Sequence, residues 1–136
     1  MQAIHITDFD AKRLRELLEA AKRSQYYGSA DLKKLAGELN RAVVVNSREI
    51  PRDVITMNSR VRLLDLQTGE EMIYTLVFPE DADPEAGRIS VLAPIGTAML
   101  GFKAGDEIAW QVPAGVRRFK VVAILYQPEA AGDYHL

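Results

Sequence analysis

Ile89-Ser90-Val91-Leu92-Ala93-Pro94-Ile95-Gly96-Thr97-Ala98-Met99-Leu100-Gly101 is the stretch that decides the fold. Ile89-Ser90-Val91 has the β-branched content of a short strand. Pro94 suits the first position of a helix, and Gly101 suits the position just past its end. Ile95, Ala98, Met99 and Leu100 form the apolar side of that helix. A strand that turns into one short helix and then stops is unlike a doubly wound α/β unit, whose crossover helices are longer. Gly105-Asp106 follows as a turn.

Downstream, Glu107 to Val112 and Arg117 to Tyr126 read as strands, separated by Pro113-Ala114-Gly115. Phe119, Val121 and Ala123 alternate with Val122, Ile124 and Tyr126. Gln127 to Leu136 reads as an irregular tail. Upstream, Met72, Tyr74, Leu76 and Phe78 alternate with Ile73, Thr75 and Val77 as another strand, preceded by a turn at Gln67-Thr68-Gly69-Glu70 and by strands at Val54–Met57 and Val61–Leu66. Pro79 to Gly87 is a loop carrying Glu80, Asp81, Asp83 and Glu85. These acids lack the spacing and central glycine of a calcium loop, so a solvated loop is expected.

The first third of the chain follows a different period. Leu14, Leu17, Leu18 and Ala21 form one helical stripe, with Thr7 or Asp8 as cap. Leu32, Leu35, Ala36, Leu39 and Val43 form a second. The polar break Ser24-Gln25-Tyr26-Tyr27-Gly28-Ser29 joins them, which predicts an antiparallel helical hairpin. The first helix is expected to run roughly 17 residues, about 25 Å. The expected organisation is a hairpin over 1–46, a linker over 47–52 ending near Pro51, and a β-rich domain with tail over 53–136. The class is α+β with a mostly antiparallel sheet.

Seventeen basic and nineteen acidic side chains give a net charge of −2. Residues 1–50 carry nine basic and seven acidic groups, and residues 51–136 carry eight and twelve. Neither part has the basic surplus of an autonomous nucleic-acid binder, so a protein partner is expected. The chain has no cysteine, which excludes disulfides and thiolate chemistry. No apolar run reaches the roughly 18 residues of a membrane span, and the N-terminus lacks a signal-peptide pattern. A cytoplasmic monomer is the reading.

Catalytic signatures fail one by one. His5 and His135 stand at the two chain ends, outside any nucleophile or metal pattern. Gly96 and Gly101 have phosphate-loop spacing, but Phe102 stands where the required lysine would be. Glu16 and Glu19 share a helix with Lys12, Arg13, Arg15, Lys22 and Arg23, a pattern of exposed ion pairs. Tyr26 and Tyr27, beside Gln25 at the hairpin tip, either pack back on the hairpin or meet a partner, since tyrosine is enriched at interfaces. No enzyme activity and no cofactor or metal are expected.

The block from Ile89 to Gly101, the Gly105-Asp106 turn, Pro113-Ala114-Gly115 and the strand ending in Tyr126 together resemble the C-terminal domain of the Gre transcript-cleavage factors. The resemblance covers about residues 53–127. Asp53 to Val61 and the tail from Tyr126 to Tyr134 further resemble the family of regulators of nucleoside diphosphate kinase. The resemblance implies an FKBP-like domain, a short coiled coil, and binding to RNA polymerase near its secondary channel in competition with Gre-type factors. It places polymerase docking at Leu92, Ala93, Pro94, Ile95 and Thr97. Two departures bear on mechanism. Gre factors carry metal-holding acids at the tip of a long coiled coil, whereas Arg23 to Ala30 contains no acid. The polar pair that precedes the Gre proline is Leu92-Ala93 here. Regulation without cleavage is therefore expected. An effect on nucleoside diphosphate kinase is expected to be indirect, and the prolyl-isomerase activity found on FKBP folds lacks an aromatic pocket here.

Overall fold

The computed structural model describes residues 4–21, 30–112, 115–134 and 136. The chain opens with β1 (His5–Thr7), followed by α1 (Asp8–Ala21), α2 (Ala30–Arg41) and β2 (Val43–Val45). The second unit contains β3 (Arg60–Asp65), β4 (Glu71–Val77), β5 (Arg88–Ser90), α3 (Pro94–Met99), β6 (Glu107–Val112), β7 (Gly115–Tyr126) and α4 (Pro128–Ala131). The architecture is mixed α+β.

Five strands form one sheet in the order β5-β4-β3-β7-β6. β3 pairs antiparallel with both β4 and β7, and β6 pairs antiparallel with β7. Only β4–β5 is parallel. One sheet face packs Val61, Leu63, Leu76, Phe119 and Val121 into the core. The same core takes in Met99 and Leu100 from the α3 segment and Leu14, Leu18, Leu35 and Leu39 from the hairpin. The expected apolar stripes of both helices are therefore the surfaces that meet the sheet unit.

Several elements differ from expectation. β1 and β2 form a two-stranded parallel pair, His5 with Val43 and Thr7 with Val45. Val43 thus leaves the helical stripe to close the base of the hairpin, and His5 sits in a strand. Val54–Met57 is not a strand. Val54 makes one isolated bridge to Lys103, after which the chain turns at Asn58, whose φ is 66°. Asparagine tolerates that left-handed geometry better than most residues. The acidic loop contains two short 3₁₀ turns, Pro79–Asp81 and Pro84–Ala86. The tail forms α4, with Gly132 in the left-handed position at its end.

Buried polar groups fasten the hairpin and the tail to the sheet unit. The Thr7 hydroxyl accepts from Asp10 N at 3.0 Å and caps α1. Asp10, with a side chain only 1 % exposed, accepts from Met57 N at 3.0 Å and from the Arg13 guanidinium. Arg13 also lies over the Phe9 and Phe78 rings, 3.9 and 4.8 Å from their centroids. The Thr56 hydroxyl donates to Glu129 at 2.7 Å, and Gln127 Nε2 donates to the carbonyls of Pro51 and Val54. Both Arg13 and Asn58 donate to the Leu136 carbonyl.

Candidate protein-docking site

The expected docking residues occupy the turn between β5 and α3 and the first turns of α3. This turn is heavily constrained. Leu92 N donates to the Ser90 hydroxyl at 3.0 Å, and Ala93 N donates to the Ser90 carbonyl at 3.0 Å. Thr97 N donates to the Ala93 carbonyl at 2.9 Å. The Thr97 hydroxyl donates back to the Val91 carbonyl at 2.6 Å. These four bonds fold residues 90–97 into a fixed knuckle.

Gly96 makes the knuckle possible. A Cβ built there would lie 2.0 Å from the Ser90 carbonyl oxygen. Only a residue without a side chain lets α3 approach the end of β5 this closely. The failed phosphate-loop spacing thus has a packing explanation. Gly101 has a related role: its φ is +82°, and a Cβ would lie 2.4 Å from the Ile4 side chain. It ends the helix and lets the N-terminal segment close over it.

The expected residues divide in two. Leu92, Ala93 and Ile95 are half-buried, and Leu92 and Ile95 rest on the core from outside. Thr97 is only 2 % exposed and spends its hydroxyl internally. As a direct contact Thr97 is therefore corrected: it holds the knuckle from beneath and presents nothing to a partner. Pro94 opens α3 at its first position, where a missing N–H leaves no helical bond unmade. α3 packs beside α2 and β6, so the knuckle stands next to the base of the hairpin. Gln25, Tyr26 and Tyr27 lie outside the described residues.

No group of three or more His, Cys, Asp or Glu side chains able to hold a metal occurs among the described residues. Nor is any described helix long and apolar enough to cross a membrane. Among the described residues, the carboxyl pushed far upward is Asp10, raised to about 6 by burial against the opposing pull of Met57 N and Arg13. It lies at the root of the hairpin and ties structure together. An open groove of about 510 Å³ runs past Arg13, Glu16, Asn58, Phe78 and Glu80, and none of the knuckle residues lines it. The chemistry on offer is a rigid, half-apolar contact point beside a helical arm. Sequence reading missed the internal duties of Gly96, Thr97 and Asp10. A glycine in the middle of an expected helix was the available signal for the first.

Residues 50–126 match the family model "Transcription elongation factor, GreA/GreB, C-term", and residues 2–45 match "Rnk N-terminus". The regulator of nucleoside diphosphate kinase of Escherichia coli K12 is 44% identical over 134 residues, covering 98% of this chain and 96% of that protein. Transcription elongation factor GreA of Clostridium botulinum Eklund 17B is 36% identical over 106 residues, covering 78% of this chain and 66% of that protein. A solved prokaryotic transcription elongation factor GreA/GreB from Nitrosomonas europaea superposes with a TM-score of 0.75 at 44% identity, over 90% of this chain and 99% of the other.

Proposed function

Because the chain belongs to the GreA/GreB C-terminal family and carries an Rnk N-terminus, we propose that it is a transcription regulator that binds RNA polymerase. The knuckle at Leu92, Ala93, Pro94 and Ile95 is the docking element, and the hairpin over 1–46 is an arm beside the secondary channel. The observation that carries this reading is the construction of the knuckle. Four internal hydrogen bonds and a glycine at van der Waals limit hold a partly apolar turn rigid at the surface. Preorganisation of this kind lowers the ordering cost of binding.

The arm competes with Gre-type factors for the channel region without stimulating transcript cleavage. Two features support this. The hairpin is short: among the described residues α1 has 14, about 21 Å at the helical rise. Its connecting sequence, Arg23 to Ala30, contains no carboxylate to hold a catalytic cation. Any influence on nucleoside diphosphate kinase, the activity in the name of a similar protein, runs through transcription.

The test is binding of the labelled full chain to core RNA polymerase, followed by fluorescence anisotropy. Ala93→Arg and Pro94→Arg place a charge on the knuckle and are expected to weaken binding about tenfold or more. Ala93→Arg keeps the backbone of the turn, so its fold can be verified by thermal unfolding. Undiminished binding by both folded variants would remove the docking assignment.

A further inference from the structure

The sheet has two faces, and among the described residues the main core cluster packs against one of them. The strand pairings place Arg88, Thr75, Arg60 and Tyr126 in one row across β5, β4, β3 and β7. The next row is Ile73, Arg62 and Ala123, and the one after it is Glu71, Leu64, Lys120 and Glu107. Arg118 and Ala109 follow. None of these residues is in the main core cluster, which packs against the opposite face; on this face Val77, at the end of β4, is buried.

Arg88, Arg60, Arg62, Lys120 and Arg118 therefore form a diagonal stripe from the β5 edge towards β6. Five basic side chains face three acidic ones, Glu71, Glu107 and Asp83, the last bridged to Arg88 at the β5 edge, an excess of two on a chain whose net charge is −2. Within the described residues only Arg62 of the five forms an ion pair, a loose one to Glu71 at 3.6 Å with both partners solvated. Aliphatic side chains border the stripe: Ile73 is 41 % exposed, Val116 43 % and Val122 39 %. Val122 and Leu125 are the residues skipped where the β3–β7 register shifts, and both are exposed. A bulge re-aims side chains in this way.

We propose that this open sheet face is a second docking surface, and that its occupant is an acidic, amphipathic protein segment. Charge complementarity selects an acidic partner, because the stripe concentrates positive charge on an otherwise negative molecule. The bordering aliphatics select a polypeptide over a nucleic acid. Phosphates gain nothing from Ile73, Val116 or Val122, and sequence-tolerant binding of single strands relies on rings for stacking. The only ring in the described rows, Tyr126, is held by its hydroxyl to Asp133 at 2.5 Å. Adjacent strands are about 4.8 Å apart, so five strands offer a width of about 19 Å, enough to seat one helix of about 10 Å diameter. This surface is separate from the knuckle and does not depend on polymerase binding there.

The test uses the full chain and three fluorescein-labelled probes. The first is a designed helix with glutamates on one face and leucines on the other. The second is the same composition scrambled to destroy the amphipathic order, and the third is a single-stranded thymine oligonucleotide. Anisotropy titrations are expected to show tightest binding for the ordered acidic helix, weakening on added salt. Arg60→Glu and Lys120→Glu, both at exposed positions, are each expected to weaken it about tenfold, while Ala93→Arg leaves it unchanged. Equal binding of ordered and scrambled peptides, preference for the oligonucleotide, or indifference to both charge reversals would each overturn the proposal. So would an absence of binding.

Discussion

Asp10→Asn should change how the stability of this protein responds to pH, and the structure gives the direction and size. Asp10 is enclosed by α1 and the Thr56–Ser59 turn, and burial raises its carboxyl from 3.8 to about 6. A carboxyl whose pKa is raised on folding binds protons more tightly in the folded state. Its contribution is therefore fully favourable below about pH 4 and is lost as pH rises through about 6. A shift of about two units corresponds to about 3 kcal/mol. That is a large share of the roughly 5–15 kcal/mol by which an ordinary domain is stable. Asparagine keeps an acceptor for Met57 N and carries no charge to desolvate. The assay is urea unfolding of both proteins at intervals from about pH 4 to about pH 8, with the difference in unfolding free energy plotted against pH. Other carboxylates titrate in both proteins and cancel in the difference. The variant should gain on the wild type by up to about 3 kcal/mol between the two ends of the range. A flat difference curve would show that Asp10 is solvated or displaced from the interface. A curve of opposite sign would show that the Arg13 ion pair outweighs burial.

Other consequences concern the knuckle and the tail. Gly96→Ala should destabilise the fold by about 1–3 kcal/mol, measured by chemical denaturation, because its Cβ meets backbone at the Ser90 carbonyl that cannot rotate away. Thr97→Val should cost about 1–3 kcal/mol by leaving the Val91 carbonyl unpaired in the interior, and it should weaken polymerase binding without adding any charge at the surface. Glu129→Ala should lower stability by about 1–3 kcal/mol and speed amide hydrogen exchange at Thr56–Ser59, since Glu129 accepts from Thr56 in a buried site.

The two helices and the strands β3, β4, β6 and β7 were legible because each is long enough to show its period. Leu14 and Leu18, then Leu35 and Leu39, fall on the helical stripe and are all buried. The β1–β2 pair was not legible. Three residues carry no period, and the pairing joins His5 to Val43 across the whole hairpin. The position of the knuckle followed from the Pro94 and Gly101 punctuation. Its internal wiring did not, because Thr97 on a helix reads alike whether its hydroxyl meets a backbone carbonyl or water. The burial of Asp10 was not legible for a related reason. An acid in the first turn of a helix is ordinarily solvated, and only the approach of the distant Met57 buries this one. The tail seemed irregular because its contacts, Gln127 to Pro51 and Glu129 to Thr56, lie more than 70 positions away.

The most direct measurement is transcript cleavage by backtracked RNA polymerase complexes, with this chain added alone and then titrated against a Gre factor. The proposed mechanism gives no cleavage above the polymerase's own rate when the chain is alone, and a concentration-dependent suppression of Gre-stimulated cleavage that Ala93→Arg abolishes. Cleavage stimulated by the chain itself, or Gre activity untouched at saturating concentrations, would contradict it.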